Sequence, residues 1–483
     1  MKKSSKSGES RKSGESGTLL NQESELPRLA RPARLARPNR LISPARRAAF
    51  DILRRVASEG AYAAPLIAAL AQSSMSGEDR ALAQEIALGS LRWQRSLDYI
   101  IERHSRRRLS RIDLPVLIAL RMGLYQLLYL TRIPESAAVN ESVELVKQAR
   151  HASASGMVNA VLRQAARHRY EQPFQAINDP LERASVEVSH PRWMLDRWID
   201  WLGREEATQL ALANNRTPPL AFRVNTIRAS EDETLSWLES KGVLAESSPF
   251  VRSAFTVKSG PAAACIDAAE RGLIYIQDEA SQLVSLLLGA KSGQRVLDLC
   301  AAPGSKSSHI AALTSNTAWI LACDIHPHRL SSLVSTCRRL GARAVDALAL
   351  DATIELPLVE NAPKFDRVLI DAPCSGTGTL RRNPEIKWRL APEDPPRLAG
   401  LQSSLIARAA ASVAVGGRMV YSTCSIEREE NEEVVDGFLS GGAPFRLIKP
   451  DASADLMTGE GFVRTFPHRH GMDGFFAAVL EKT

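Results

Sequence analysis

From about residue 271 onward, short apolar runs alternate with helical segments, and this alternation constrains the fold more than any other feature. We predict strands at 296–299, 319–323, 344–350, 367–370, 418–422 and 475–479. Helical segments lie between them, for example at 306–313, 328–340 and 401–411. This pattern is typical of a doubly wound, mostly parallel α/β sheet with helices on both faces. Ligands of such sheets bind beyond the carboxyl ends of the strands.

The chain before this region has a different pattern. Ser43 is a candidate N-cap before Pro44, and apolar residues then recur at helix spacing, as they also do across 79–102, 114–130 and 137–148. Because no alternating strand pattern appears, we predict an all-α bundle of six or seven helices. Prolines and short extended stretches at 221–227 and 255–257 then indicate a linker, a helix pair at 193–202 and 205–214, and a small α+β unit.

The 483 residues are enough for several domains, and we expect four parts. They are a disordered basic tail (1–40), a helical RNA-binding domain (41–170), a linker with a small α+β RNA-recognition region (171–270), and an α/β catalytic domain (271–483). The tail is rich in Ser, Lys, Gly, Arg and Pro, so it has too little apolar surface to fold. Contact with phosphates and a merely solubilising role both remain open for it.

Positive charge is concentrated in the first part of the chain. Residues 1–40 hold 10 Lys and Arg against 4 Asp and Glu, residues 41–170 hold 19 against 11, and the remainder holds 33 against 39. This asymmetry favours a polyanion that docks mainly on the N-terminal part, with Arg106, Arg107 and Arg108 as candidate phosphate contacts. A solvated basic surface is the alternative.

Composition argues against several other classes of protein. No run approaches the ~18 apolar residues of a membrane span, and the charged N-terminus lacks the apolar core of a secretory signal. The six cysteines show no C-x-x-C spacing, which disfavours a metal site or a disulfide framework and favours a reducing cytoplasm. They are Cys265, Cys300, Cys323, Cys337, Cys374 and Cys424.

A tight turn of small residues follows the first strand of the α/β region. It comprises Cys300, Ala301, Ala302, Pro303 and Gly304, and the next helix begins with Ser305 and Lys306. Small residues let the backbone approach a ligand, and the helix start offers unpaired N–H groups. A dinucleotide enzyme would carry G-x-G-x-x-G here, whereas this turn has a single glycine.

Four aspartates lie in or just after successive predicted strands: Asp298, Asp324, Asp351 and Asp371. Asp324 is placed to accept hydrogen bonds from a ribose, and Asp351 to meet an adenine edge. S-adenosylmethionine has a ribose and an adenine but no phosphate, so these residues favour it over a dinucleotide. The ordered set also argues against a tight turn without any ligand.

Cys374 and Cys424 follow the fourth and fifth strands on small polar loops, where chemistry concentrates. The other four cysteines are interpreted as inert. A thiolate that adds to carbon 6 of cytosine makes carbon 5 nucleophilic enough to accept a methyl group. Asp371 is a candidate to hold the amidine edge of that base, which has to leave its stack to reach the site.

These motifs resemble those of the RNA (cytosine-5)-methyltransferase family. Its C-A-A-P-G-G-K, D-A-P-C-S-G-x-G and S-T-C-S motifs correspond to residues 300–306, 371–378 and 422–425, and segments 382–388 and 467–476 are also similar. The resemblance implies that Cys424 is the nucleophile and that Cys374 assists release of the covalent product. It also implies that residues 300–306, Asp324, Asp351 and Asp371 line S-adenosylmethionine. Ser305 replaces the second glycine of the family turn, and would be mildly strained if that position needs positive φ.

The N-terminal helices resemble a NusB-type RNA-binding domain, and the combination is similar to the RsmB (Sun) type of the family. That resemblance implies an S-adenosylmethionine-dependent cytosine-C5 methyltransferase of 16S ribosomal RNA, with no metal, no membrane and no obligate protein partner. Three alternatives remain: the same chemistry on transfer RNA, a catalytically silent RNA-binding assembly factor, and a DNA methyltransferase. The last would use the Pro-Cys motif, and therefore Cys374, as its nucleophile.

Overall fold

The computed structural model describes residues 42–168, 171, 173–354 and 363–483. The basic tail expected at residues 1–40 lies outside them. Seven helices form the first part of the described chain: α1 (Pro44–Ser58), α2 (Ala63–Ala69), α3 (Gly77–Arg92), α4 (Gln94–Ser105), α5 (Leu114–Tyr129), α6 (Glu135–Gln148) and α7 (Ser155–Arg167). Their apolar faces share one buried core, so the expected all-α bundle is confirmed.

One local expectation for this bundle was wrong. The segment expected to be helical across 79–102 is two helices, because the chain turns at Trp93, whose ring stacks on Tyr129 with 4.6 Å between centroids. Ser43 is the N-cap residue of α1 and Pro44 begins the helix, as predicted, although the Ser43 side chain makes no cap hydrogen bond. Its hydroxyl instead donates to Glu141 Oε2 on α6 at 2.8 Å.

Three further helices, α8 (Pro180–Glu187), α9 (Arg192–Leu202) and α10 (Arg204–Asn214), lead into a small α+β unit. The last two are the expected helix pair. The small unit consists of β1 (Ala221–Val224), α11 (Glu231–Ser240), β2 (Leu244–Ser247), β3 (Ala254–Ser259), α12 (Ala262–Glu270) and β4 (Ile274–Ile276). Its antiparallel sheet has the order β2-β3-β1-β4.

The sequence patterns indicated β1 and β3 but not β2 and β4. Strand β2 is largely solvent-exposed and β4 has three residues, so neither carries a clear apolar alternation. Strand β4 pairs with β1 although it lies beyond the boundary expected at residue 270. The small sheet therefore extends into the region that was assigned to the α/β domain.

The remaining elements are the strands of the large sheet and the helices that connect them. They are α13 (Glu279–Leu288), β5 (Arg295–Leu299), α14 (Ser305–Leu313), β6 (Trp319–Asp324), α15 (Pro327–Leu340), β7 (Val345–Ala349), β8 (Phe365–Asp371), α16 (Asp394–Ala410), β9 (Val413–Thr423), α17 (Glu432–Ser440), β10 (Phe445–Leu447), β11 (Val463–Thr465), α18 (Pro467–His470) and β12 (Phe475–Lys482). The order is β10-β12-β9-β8-β5-β6-β7, and β11 also pairs with β12.

Strands β5 to β9 are parallel, whereas β10, β11 and β12 pair antiparallel. The expected doubly wound, mostly parallel sheet is confirmed. Apolar residues of β5, such as Val296 and Leu299, are buried because helices cover both faces. Short strands β10 and β11 were not expected, and each has only three residues.

A buried lysine joins the large sheet region to the helical bundle. Lys387 Nζ donates to Arg92 O at 2.8 Å, to Ser189 O at 2.9 Å and to Asn215 Oδ1 at 2.9 Å. Burial lowers the pKa of Lys387, but three acceptors satisfy all three of its N–H donors. Next to it, Trp388 Nε1 donates to Leu91 O at 2.8 Å. The segment after Cys374 is thus anchored on α3.

Candidate active site

Two residues with positive φ shape the turn between β5 and α14: Cys300 (φ 60°) and Gly304 (φ 93°). A Cβ on Gly304 would lie 3.0 Å from Leu333 Cγ, so the turn also packs tightly on α15. Ser305 is the first residue of α14 and is not among the residues with positive φ. The strain considered for Ser305 is therefore absent, because Gly304 takes the left-handed position.

Asp324 ends β6 directly beside this turn, and its side chain is only 2% exposed. Its Oδ2 accepts a hydrogen bond from Ala302 N at 3.3 Å and lies 3.3 Å from Arg329 Nη1. Its Oδ1 accepts one from His326 N at 3.0 Å. These contacts fix the carboxylate against the turn.

Asp351 lies two residues beyond the end of β7, not at the strand end as expected, because β7 stops at Ala349. Its Oδ1 accepts hydrogen bonds from Thr353 N at 2.9 Å and Thr353 Oγ1 at 2.6 Å. These bonds lower the pKa of the Asp351 carboxyl, which keeps it ionised.

A cleft of about 170 Å³ brings Cys300, Asp324 and Asp351 together. Its other lining residues are mainly apolar, among them Ile325, Leu350, Leu401 and Leu405. Carboxylates beside an apolar wall suit a ligand that combines ribose hydroxyls with a flat ring. This combination of hydrogen-bond acceptors and apolar surface therefore fits the adenosine part of S-adenosylmethionine.

Asp298 lies within β5 and is completely buried. Burial raises the pKa of Asp298 to about 7, although a hydrogen bond from Ser307 Oγ at 2.5 Å opposes the shift. Its Oδ1 has no hydrogen-bond partner among the described residues.

Lys306 and Asp371 form an ion pair at the end of β8, on the sheet edge where the parallel strands end, with 2.7 Å between Nζ and Oδ2. Burial disfavours the charged form of Lys306, but Asp371 outweighs it and raises the lysine pKa. Ser422 Oγ donates to Asp371 Oδ1 at 3.2 Å. The Asp371 side chain remains 31% exposed, so its carboxylate is oriented and still accessible to a ligand.

Cys374 and Cys424 meet at this same edge, with 3.3 Å between their sulfur atoms. Their loops pack backbone against backbone: Gly378 N donates to Cys424 O at 3.0 Å, and a Cβ on Gly378 would lie 1.9 Å from Gly474 O. Only glycine permits that approach. The hydrogen bond to Cys424 and burial raise the pKa of Cys374 well above its usual range, so Cys374 is a thiol.

Burial raises the pKa of the other four cysteines, as it does that of Cys374. Burial raises the pKa of Cys300 and of Cys323 to about 12, and that of Cys337 to about 11. Cys265 is buried in the small unit, and burial raises its pKa. High thiol pKa values disfavour the nucleophilic thiolate.

Sequence reasoning missed two residues of this site. Arg329 donates a hydrogen bond to Ala302 O at 2.8 Å and forms an ion pair with Asp324. Glu430 is a buried carboxylate between the two cysteine loops. The one available signal was the acidic run at 427–433 directly after the Cys424 motif, and it resembles an ordinary solvated helix start.

The described residues contain no group of three or more His, Cys, Asp or Glu side chains placed to hold a metal ion. Over the same residues, no helix combines the length and apolar character that crossing a membrane requires.

Three family models match the chain. They are the NusB family over residues 43–167, the RsmF/B-like ferredoxin-like domain over 190–263, and the 16S rRNA methyltransferase RsmB/F over 285–481.

Relatives match along most of their length. The probable ribosomal RNA small subunit methyltransferase B of Bacillus subtilis is 35% identical over 446 residues, covering 90% of this chain and 98% of the relative. The ribosomal RNA small subunit methyltransferase B of Pseudomonas putida is 35% identical over 404 residues, covering 84% and 91%. The crystal structure of PH0851 superposes with a TM-score of 0.79 at 28% identity, over 92% of this chain and 100% of that one.

Proposed function

The chain belongs to the RsmB/F family of 16S rRNA methyltransferases, and from that premise we propose that it methylates carbon 5 of a cytosine in 16S ribosomal RNA. That it is an rRNA methyltransferase follows from the family. The finer assignment is carried by one observation, the pair of thiols 3.3 Å apart beside the Lys306–Asp371 ion pair. Two thiols at the edge where a methyl donor binds suit covalent activation of a pyrimidine.

The proposed methyl donor is S-adenosylmethionine, which supplies an electrophilic methyl group on a sulfonium. Asp324 is assigned to the ribose hydroxyls and Asp351 to the adenine end of the cleft, and the small turn residues admit the ligand closely. The turn residues are Cys300, Ala301, Ala302, Pro303 and Gly304, and Ser305 and Lys306 begin the next helix. The fit of carboxylates and apolar wall supports this assignment.

The proposed nucleophile is the thiolate of Cys424. It adds to carbon 6 of cytosine, forming an S–C6 bond and placing the electron pair of the 5,6 double bond on carbon 5. Carbon 5 then forms a bond to the donated methyl group, and the donor leaves as a neutral thioether. Loss of the carbon 5 proton to water at the open edge and cleavage of the S–C6 bond restore the aromatic ring and the thiolate.

Cys374 and Asp371 are assigned supporting roles in these steps. The Cys374 thiol donates a hydrogen bond to the departing Cys424 sulfur, which assists release of the methylated RNA. The raised pKa of Cys374 supports this role, because it keeps the donor proton in place. Asp371 is oriented by Lys306 and Ser422 to accept a hydrogen bond from the amino group of the base.

We assign RNA binding to the helical domain at 41–170 and to the small region at 171–270, and catalysis to 271–483. The excess of basic residues in 41–170 supports this division. We place the protein in the cytoplasm, since its catalytic pair has to remain reduced and a reducing compartment provides that.

The test is methyl transfer from labelled S-adenosylmethionine to unmodified 16S rRNA, to small ribosomal subunits that carry this rRNA, and to transfer RNA in parallel. Mapping should place the label on carbon 5 of one 16S cytosine. Label on transfer RNA alone would contradict the target. No label on any RNA, with cofactor binding intact, would contradict the proposed reaction and favour a silent assembly factor.

A further inference from the structure

We propose that Glu430 is a positioning residue, which holds the two cysteine loops in register so that the two sulfur atoms meet. The reaction it serves is the one proposed above, so the catalytic part of this inference rests on that function. Glu430 lies in a short turn between β9 and α17 and is fully buried.

The contacts of Glu430 reach both loops from one carboxylate. Its Oε1 accepts hydrogen bonds from Ser375 N at 2.8 Å and from Gln402 Nε2 at 3.0 Å. Its Oε2 accepts hydrogen bonds from the hydroxyls of Ser375 and Ser425. Ser375 and Ser425 directly follow Cys374 and Cys424 in the sequence. One side chain therefore ties together the residues next to both thiols.

The backbone of Glu430 adds a further tie to the sheet. Tyr421, on β9, donates from its hydroxyl to Glu430 O at 2.6 Å. The neighbouring Asn431 donates from Nδ2 to Ser425 O at 3.0 Å.

Direct hydrogen bonds also join the two loops, from Gly378 N to Cys424 O at 3.0 Å and from Ile426 N to Thr377 Oγ1 at 3.1 Å. The Glu430 carboxylate adds to them a contact with the residues that directly follow both thiols.

Glu430 also acts electrostatically on Cys374. Burial raises the pKa of the Glu430 carboxyl, but four donated hydrogen bonds favour its charged form. After the hydrogen bond to Cys424 and burial, the charge of Glu430 is a further cause that raises the pKa of Cys374. Holding the loops and keeping Cys374 protonated are thus two consequences of the same carboxylate.

Glu427 provides a matched control on the same turn. It is also buried and its pKa is raised to about 7 by burial. Its carboxylate, however, accepts from Trp198 Nε1 at 3.1 Å and meets Arg197 on α9, away from the two thiols. Both Glu427→Gln and Glu430→Gln remove a buried carboxylate from this turn. Only Glu430→Gln is expected to change the relative position of the two sulfur atoms.

The first measurement is the rate at which diamide oxidises the Cys374–Cys424 pair to a disulfide, followed by mass spectrometry without any RNA. The pair loses two hydrogens to diamide as the S–S bond forms. We expect Glu430→Gln to slow this reaction about tenfold, because disulfide formation is sensitive to thiol placement, and Glu427→Gln to leave it unchanged. Equal rates in the two variants would overturn the proposal.

The second measurement compares kcat and KM on 16S rRNA. Glu430→Gln should lower kcat about 100-fold and leave the KM for S-adenosylmethionine unchanged, since misplacement of reacting groups costs rate and not cofactor binding. A fall in kcat that Glu427→Gln reproduces would mean general loss of structure and would count against the proposal.

Two milder variants keep the proposal testable if the Glu430→Gln protein does not fold. Ser375→Ala and Ser425→Ala each remove a hydroxyl tie and retain the carboxylate. Each should slow disulfide formation by a smaller factor, and no slowing in either would overturn the proposal. If no RNA is methylated by the wild-type protein, the proposed reaction fails, while the oxidation rates still decide the role of Glu430.

Discussion

The cofactor cleft and the thiol pair lie at neighbouring parts of one sheet edge, but they are assembled in different ways. The turn at 300–304 and the start of α14 come from one continuous segment. The carboxylate of Asp324, at the end of β6, accepts a hydrogen bond from the backbone of that turn. The thiol pair joins two loops that are 50 residues apart in sequence. Several of its supporting contacts run through Glu430, which belongs to neither motif.

This difference predicts that substitutions in one region impair its function without impairing that of the other. Changes in the cofactor cleft should weaken binding of the methyl donor and leave the thiols in place. Changes around the thiols should stop or stall the chemistry while the methyl donor still binds. A variant that impairs both functions would show that the regions are coupled through the ion pair of Lys306 and Asp371, which lies between them.

The largest expected effect is that of Cys424→Ala. Without the proposed nucleophile, methyl transfer to RNA should fall by at least about 10⁴-fold, as for loss of an enzyme's attacking group. Affinity for S-adenosylmethionine, measured by calorimetry, should stay within about twofold of the wild-type value. Residual activity near the wild-type level would show that Cys424 is not the nucleophile.

Cys374→Ala should stall the reaction after methyl transfer. Because the thiol proposed to assist departure of Cys424 is missing, a covalent protein–RNA complex should accumulate and turnover should fall by about 10²-fold. A denaturing gel detects the complex as a species of reduced mobility. The opposite result, in which Cys424→Ala traps RNA and Cys374→Ala is inactive and forms no adduct, would show that Cys374 is the nucleophile and Cys424 the assisting thiol. DNA methyltransferases, which use the cysteine of a Pro-Cys motif, have that arrangement.

Asp324→Ala should affect only the cofactor. Loss of charge-assisted hydrogen bonds, worth about 1.5–3 kcal/mol, should raise the Kd for S-adenosylmethionine by about 10- to 100-fold. Activity should recover at high cofactor concentration. Asp346→Ala is the control, since Asp346 lies on the exposed edge strand β7 and accepts from Trp319 Nε1 at 2.8 Å. Equal losses in both variants would argue against the ribose assignment.

Ser305→Gly should have the smallest effect. Restoring the glycine of the family turn would help only if position 305 needed positive φ, and Gly304 already takes that conformation. We expect the Kd for S-adenosylmethionine to change by less than about twofold. A clear gain in affinity would show that the serine side chain, and not backbone strain, limits cofactor binding.

Much of the fold was predictable because its signals are local. Apolar runs separated by helical segments indicated the strands β5 to β9, and one proline and several small residues indicated the turn at 300–304. The errors fall where a distant contact decides the outcome. The helical segment is interrupted at Trp93, which stacks on Tyr129, and β4 joins the small sheet by pairing with β1.

The sequence by itself determined the order of the strands along the chain, the aspartates near their ends and the two cysteines on the loops that follow. These depend on periodicity and spacing within short segments. Only the tertiary structure decided that Cys374 and Cys424 meet at 3.3 Å, that Glu430 ties their loops together and that Lys387 fastens the region to α3. Such contacts join residues far apart in the chain, and a buried polar group finds its partners only once packing has excluded water around it.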